Sequence, residues 1–304
     1  MRFTPCPKID VHAHALLNRD LEYRTSIDIS PEELLDIYDR IGVERGVLQP
    51  ILSPEWITAP MTNGNTCAIA RRWPDRFYWF FNLDPRTLAN LPDTDFSDMI
   101  AFFRKLGAIG VGEVTANLYF DDPMVDNLFT QIEAAGLPVT IHIGPTKGGC
   151  YGLVDEVGLP RMEKMLKKHP DLVILGHSQP FWAEIDADCT QETRGLYPTG
   201  KVREGRLAQL MREYGNLHCD MSANSCYNAM RRDPDYAYRF IEEFGGRMFY
   251  AADTCLPACN TYMYDMVHWL DESAAAGCIS KKNYLAICRE NAIRVLKLPL
   301  PLEP

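Results

Sequence analysis

Eight short apolar segments recur along the chain with helical patterns between them. They read KIDVHAH, RGVLQP, FYWFFNLD, AIGVGEV, PVTIHIG, LVILGHS, NLHCDMS and RMFYAAD. Their C-terminal ends follow one another roughly every 30 to 45 residues, the spacing of successive β–helix–β units. Helix signals fill the gaps. Ser30-Pro31-Glu32-Glu33 is a capping box with proline at the first helical position. Asp122-Pro123 opens PMVDNLFTQIEAAG, which Gly136 and Pro138 close. LPRMEKMLKKH, GRLAQLMREYG and DYAYRFIEEFG behave alike, and two more helical stretches follow the last strand. This order predicts an α/β fold, a closed (β/α)8 TIM barrel of distorted type with extra C-terminal helices. An open doubly wound sheet is the alternative, but no G-x-G-x-x-G follows the first strand to support dinucleotide binding. At 304 residues and 46% hydrophobic, the chain can fill one large core, and no linker or composition shift marks a second domain. One domain over 1–304 is expected.

Charge narrows the partners. A formal net charge of -10 disfavours nucleic acid and anionic membrane. No apolar stretch approaches the roughly 18 residues of a membrane span. The opening MRFTPCPKID lacks the apolar region of a signal peptide. The ten cysteines are spread without a tight repeat, so they are read as mostly reduced thiols in a cytoplasmic protein.

In such a barrel, function gathers where the strands end. Strand alternation puts Asp10, His12 and His14 of IDVHAH on one face and Ile9, Val11 and Ala13 on the other. The later strands end in Glu113, His142, His177 and Asp253. In VTIHIG, Val139, Ile141 and Ile143 are expected to face the helices, leaving Thr140 and His142 inward. Four of the seven histidines therefore fall at strand ends beside two acids. Imidazole and carboxylate suit zinc and similar divalent ions. The other histidines have plainer readings: His218 as a core residue, His169 at a helix C-terminus, and His268 in helix packing.

These motifs carry a resemblance. DVHAH at 10–14, LPVTIHIG at 137–144, VILGHS at 173–178, YAADT at 250–254 and CRENAIRVL at 288–296 resemble the amidohydrolase superfamily. The similar branch is the amidohydrolase-related one that includes aminocarboxymuconate-semialdehyde decarboxylase-like proteins. The resemblance implies a metal-dependent barrel, with His12, His14, His142 and Asp253 at ligand positions and His177 as a ligand or catalytic histidine. Glu113 departs from the simplest one-metal pattern. TatD-type deoxyribonucleases also carry GE on strand four, but their further GLD and ETD patterns are missing here. Two ions fit a division in which His12, His14 and Asp253 hold one, His142 and His177 the other, and Glu113 bridges them.

The resemblance permits two reactions on a small molecule. One is hydrolysis of an amide, lactone or ester by water activated on one or two divalent ions, zinc foremost. Asp253 would then shuttle the proton, and His177 would bind the second ion or polarise the carbonyl. The other is non-oxidative decarboxylation of an unsaturated or aromatic carboxylate. Glu113 tilts the reading toward hydrolysis, and a metal-binding barrel without turnover is the remaining class. Lys147, Trp182, Arg194 and Asn224 are the candidate substrate contacts, Trp182 and Arg194 lying in a long irregular region, 178–200, that reads as a lid. Aromatics in FYWFF and YNAMRRDPDYAYRF could serve a homodimer.

Overall fold

A computed structural model describes residues 3–18, 28–56, 61–256 and 261–302. Among the described residues nine strands run β1 (Lys8–Ala13), β2 (Val43–Leu48), β3 (Phe77–Trp79), β4 (Val111–Val114), β5 (Val139–Gly144), β6 (Leu153–Val154), β7 (Ile174–His177), β8 (Leu217–Asp220) and β9 (Met248–Phe249). The helices are α1 (Pro31–Ile41), α2 (Asn63–Arg72), α3 (Ser97–Lys105), α4 (Pro123–Ala134), α5 (Pro160–Lys168), α6 (Gln179–Ala183), α7 (Arg206–Glu213), α8 (Ala223–Arg231), α9 (Pro234–Phe244), α10 (Thr261–Ala275), α11 (Lys281–Leu285) and α12 (Asn291–Val295). All eight expected strands form. The ninth, β6, is a two-residue addition that pairs with β5. No described helix is long and apolar enough to cross a membrane.

All the strand pairings are parallel, in two sheets. One is β1-β2-β3; the other runs β4-β5-β7-β8-β9 with β6 beside β5. Single bridges join them, Phe81 to Val111 at one seam and Ala13 to Thr254 at the other. Main-chain bonds from Val11 to Tyr250 (3.2 Å) and from Asp253 to His12 (2.8 Å) complete the second seam. The strands thus close into a (β/α)8 ring.

Helix ends follow their sequence signals. Ser30 and Glu33 exchange both bonds of the capping box, and Gly42 ends α1 in the left-handed conformation. Asp122 accepts from the main-chain N–H of Met124 at the start of α4.

Two apolar layers result. Outward strand residues such as Val43, Phe77, Val139, Ile141, Ile143 and Ile174 pack with the helices. Ile9, Val11, Val47, Phe80, Leu175, Phe249 and Ala251 fill the ring interior. Ile293, Leu296 and Leu298 join that inner cluster and close it below β1 and β9.

Two register shifts re-aim side chains. Between Asp10 and Ala13, β1 spends three residues against two of β2, Gly46 to Leu48. Between Val111 and Val114, β4 does the same against β5. A bulge of this kind turns the following side chain to the other face. The simple alternation expected for IDVHAH is corrected accordingly. Ile9 and Val11 face the interior, and Asp10 faces the helices, where Tyr38 donates to its Oδ2 at 2.6 Å.

Candidate metal centre

The shift in β1 lets His12 and His14 point inward just above Val11. Their Nε2 atoms lie 3.1 Å apart. Glu113 follows the shift in β4, where Gly112 leaves room: a Cβ there would meet Gln49 Oε1 at 2.7 Å and Thr140 Cβ at 3.0 Å. His142 and His177 are direct register partners on β5 and β7. Asp253 sits just past β9 with φ of 52°, a left-handed conformation that aspartate tolerates better than most residues.

The structure brings all six expected ligands into two adjoining groups, His12–His14–Asp253 and Glu113–His142–His177. Within each group the ligand atoms lie within 4.8 Å of one another. Glu113 faces both. Its Oε2 is 3.5 Å from His12 Nε2 and 3.9 Å from His14 Nε2. Its Oε1 is 2.7 Å from His142 Nδ1 and 3.9 Å from His177 Nε2. Asp253 Oδ1 is 3.3 Å from His14 Nε2, and its Oδ2 is 3.6 Å from His177 Nε2.

The far ring nitrogens are tied back. His14 Nδ1 is 2.9 Å from the main-chain oxygen of Gln49. A carbonyl only accepts, so Nδ1 carries the proton and the Nε2 lone pair faces the centre. His12 Nδ1 donates to Asp220 Oδ2 at 2.7 Å, and His177 Nδ1 meets the Ser222 hydroxyl at 2.7 Å. Outer partners of this kind orient metal-binding histidines.

Charge follows the same plan. Burial would raise Glu113, but hydrogen bonds and charge from His12 and His142 hold it well below the usual carboxylate range. Burial would also raise Asp253, yet His12, His14 and His177 bring it to about 2. Burial, then the nearby His12, lowers His177 to about 4. His12 is raised well above its ordinary value: burial is outweighed by Asp220 and Asp253. The centre therefore offers ionised carboxylates and a neutral His177 at neutral pH.

Asp220 is the site residue that sequence reasoning missed. It ends β8 two residues after the inward His218, so strand alternation alone could have found it. The Asp253 and His142 side chains are 18% and 11% exposed, whereas those of His12, His14, Glu113, His177 and Asp220 are at most 4%. Solvent reaches the centre beside Asp253 and His142. Tyr151 stands there, its ring 4.5 Å from that of His142.

Two of the four expected substrate contacts turn inward instead. Trp182 is buried, with Nε1 donating to the Asp220 main-chain oxygen at 3.1 Å. Arg194 is fully buried and donates to the Asp155 main-chain oxygen at 2.6 Å. Both are internal braces, because the region expected to be a lid is tied down. Gln191 bonds the Pro145 carbonyl, and Gln179 bonds the Tyr197 hydroxyl. Lys147 is exposed, and its amine donates to the Asn117 carbonyl. Asn224 is half-buried in the first turn of α8.

A parallel-stranded (β/α)8 barrel with imidazoles and carboxylates massed at its C-terminal rim defines the class of barrel enzymes that work with divalent metals. The chain belongs to the amidohydrolase family, whose profile matches residues 9–298. Members of this family are enzymes that use a divalent metal. Solved structures of similar fold include an amidohydrolase from Burkholderia multivorans with bound zinc (17% identity, TM-score 0.63, 96% of this chain and 99% of that one). Others are 2,6-dihydroxybenzoate decarboxylase from Rhizobium (16%, 0.60, 96% and 99%) and a probable 2-pyrone-4,6-dicarboxylic acid hydrolase from Acinetobacter baumannii with citric acid bound (14%, 0.59, 96% and 100%). No curated protein matches the sequence.

Proposed function

We propose that the protein is a metal-dependent hydrolase that cleaves an amide, lactone or ester bond of a small organic molecule. The observation that carries this reading is Glu113, which turns one oxygen to each of two donor groups. Such a carboxylate suits a bridged two-ion site. The donor set fits the first ion. Four ligands about 2.0–2.1 Å from one zinc stand about 3.4 Å apart in a tetrahedron. His12 Nε2 lies 3.1 Å from His14 Nε2, 3.5 Å from Glu113 Oε2 and 3.9 Å from Asp253 Oδ1, and His14 Nε2 lies 3.9 and 3.3 Å from the same two oxygens. His12, His14 and Asp253 would hold one ion, and His142 and His177 the second.

The metal supplies Lewis acidity, which makes water nucleophilic near neutral pH and polarises a carbonyl. The chain's own residues do the rest. Asp253 is the most solvent-accessible acid of the centre and takes the proton of the attacking water. Its Oδ2 faces His177 Nε2, so the proton can be shared there before it reaches the leaving group. Asp220 and the Gln49 carbonyl accept the Nδ1 protons of His12 and His14, so that Nε2 is the nitrogen whose lone pair would face the ion.

One observation favours a second reading. His142 gives its Nδ1 proton to Glu113 at 2.7 Å, and in that state Nδ1 has no lone pair for an ion. A one-ion centre of this kind suits non-oxidative decarboxylation of an unsaturated or aromatic carboxylate. Metal analysis of the purified protein separates the two. We expect two equivalents of divalent metal, with zinc most abundant, and at most one in Glu113→Gln. Unchanged metal content in Glu113→Gln would remove the bridging role. Lactone and ester panels, with carbon dioxide release followed in parallel, then decide the reaction.

A further inference from the structure

The four histidines of the centre are each held at Nδ1, but not by the same kind of group. His12 Nδ1 faces Asp220 Oδ2 at 2.7 Å, His14 Nδ1 faces the Gln49 carbonyl at 2.9 Å, and His142 Nδ1 faces Glu113 Oε1 at 2.7 Å. Carbonyls and ionised carboxylates only accept, so these three Nδ1 atoms keep their protons. His177 Nδ1 faces the Ser222 hydroxyl instead, at 2.7 Å. A hydroxyl can accept from a protonated Nδ1 or donate to a bare one.

Ser222 is spent on this contact. It stands at the N-cap of α8, yet its side chain makes no capping bond. Ser30, Thr62 and Ser280 hold the same position on their own helices, and each accepts a main-chain N–H there. Forgoing such a bond destabilises a helix end. The Ser222 hydroxyl turns to His177 in place of the helix, and the residue is fully buried. Its main-chain N–H donates to Asp220 Oδ1 at 2.9 Å. Asp220 thus orients His12 with one oxygen and steadies the partner of His177 with the other.

We propose that Ser222 is a positioning residue that makes His177 the switchable imidazole of the centre, protonated on Nε2 without an ion and on Nδ1 with one. The inference rests on the metal-dependent reading of the site. Without an ion, His177 Nε2 has two acceptors ahead of it, Asp253 Oδ2 at 3.6 Å and Glu113 Oε1 at 3.9 Å. A proton on Nε2 suits them, and the Ser222 hydroxyl then donates to Nδ1. With an ion, Nε2 offers its lone pair, the ring proton sits on Nδ1, and the hydroxyl turns to accept it. The ring holds one proton in both states, and only its position changes. His12, His14 and His142 lack this freedom, because a bare Nδ1 would set a lone pair against an acceptor.

The test is nitrogen-15 NMR of the histidine rings in the full-length protein, recorded metal-free and after loading with zinc at neutral pH. The His177 signals are assigned by their loss in His177→Asn. We expect His177 to carry its proton on Nε2 before zinc and on Nδ1 after it, while His12 and His14 keep the Nδ1 proton throughout. In Ser222→Ala the Nδ1-protonated ring has no acceptor. His177 should then stay protonated on Nε2, and the second zinc equivalent should bind about 10–100-fold more weakly. Ser222→Thr, which keeps the hydroxyl, should restore both. The proposal is overturned if metal-free His177 already carries a proton on Nδ1, or if Ser222→Ala binds zinc as wild type does. If zinc moves the His12 and His14 signals but leaves His177 protonated on Nε2, the metal reading stands and this inference falls. If zinc moves no ring signal, both fall. The wild-type spectra need no variant to fold.

Discussion

Asp220 acts on the centre through His12. Its carboxylate takes the Nδ1 proton at 2.7 Å and so decides which nitrogen is free. Asp220→Asn can present an amide N–H instead, which favours the wrong tautomer. We expect metal affinity to fall about 10–100-fold, measured by competition with a chromophoric chelator, while the fold persists in circular dichroism. Asp253→Asn keeps an oxygen toward His14 but loses the proton acceptor. Turnover should then drop roughly 100-fold or more with metal retained; full turnover in a metal-loaded variant would remove the shuttle role. Residue identity was the most legible level. His12, His14, Glu113, His142, His177 and Asp253 are named by type and strand position alone. Asp220 escaped because no motif marks it. Trp182 and Arg194 misled because a sequence does not reveal that an indole and a guanidinium turn inward to brace main-chain carbonyls.

Among the elements, the two bulged strands matter most. IDVHAH alternates without a flaw, so nothing in its pattern announces an extra residue. The bulge appears only in pairing with β2, which is a tertiary property. In β4 the counterpart depends on Gly112, whose φ is 146°. Gly112→Ala would press a methyl group against Gln49 and Thr140. We expect a loss of about 1–3 kcal/mol in urea unfolding, together with reduced metal retention because Glu113 is displaced. The loop after β5 is held by Asn117. Its amide donates to the Thr146 carbonyl at 3.0 Å and its Oδ1 accepts from Gly148 at 2.6 Å. Asn117→Ala should speed hydrogen exchange across 145–152 and leave the other rim loops unchanged. The strand β6 in this region is two residues long, below what a periodic pattern can report.

At the scale of the molecule, alternation of strands and helices was enough to foresee the barrel, because spacing and element type are local. Interior packing was not, and His218 shows why it matters. It faces into the ring, 5.5 Å from the Phe249 ring. Burial, then Arg247 and Arg294, lowers it to about 3. The unfolded chain binds this proton near 6.5, so the native state holds fewer protons between those values. Stability from this residue is fully present above about 6.5 and is lost as pH falls toward 3. His218→Leu should flatten that slope. The gap between variant and wild type in urea stability should change by about 2 kcal/mol from pH 7 to pH 5. An unchanged gap would mean that His218 keeps its ordinary affinity for protons when folded.

The two seams of the ring have a mechanical meaning. His12 belongs to the three-stranded sheet and His14 follows its first strand, whereas Glu113, His142 and His177 belong to the larger one and Asp253 follows its last strand. An ion gripping both sets would clasp two half-shells that otherwise meet through one bridge and a few main-chain hydrogen bonds at each seam. Chelation should therefore let the barrel breathe along those lines, with amide exchange rising first around Ala13, Phe81, Val111 and Thr254.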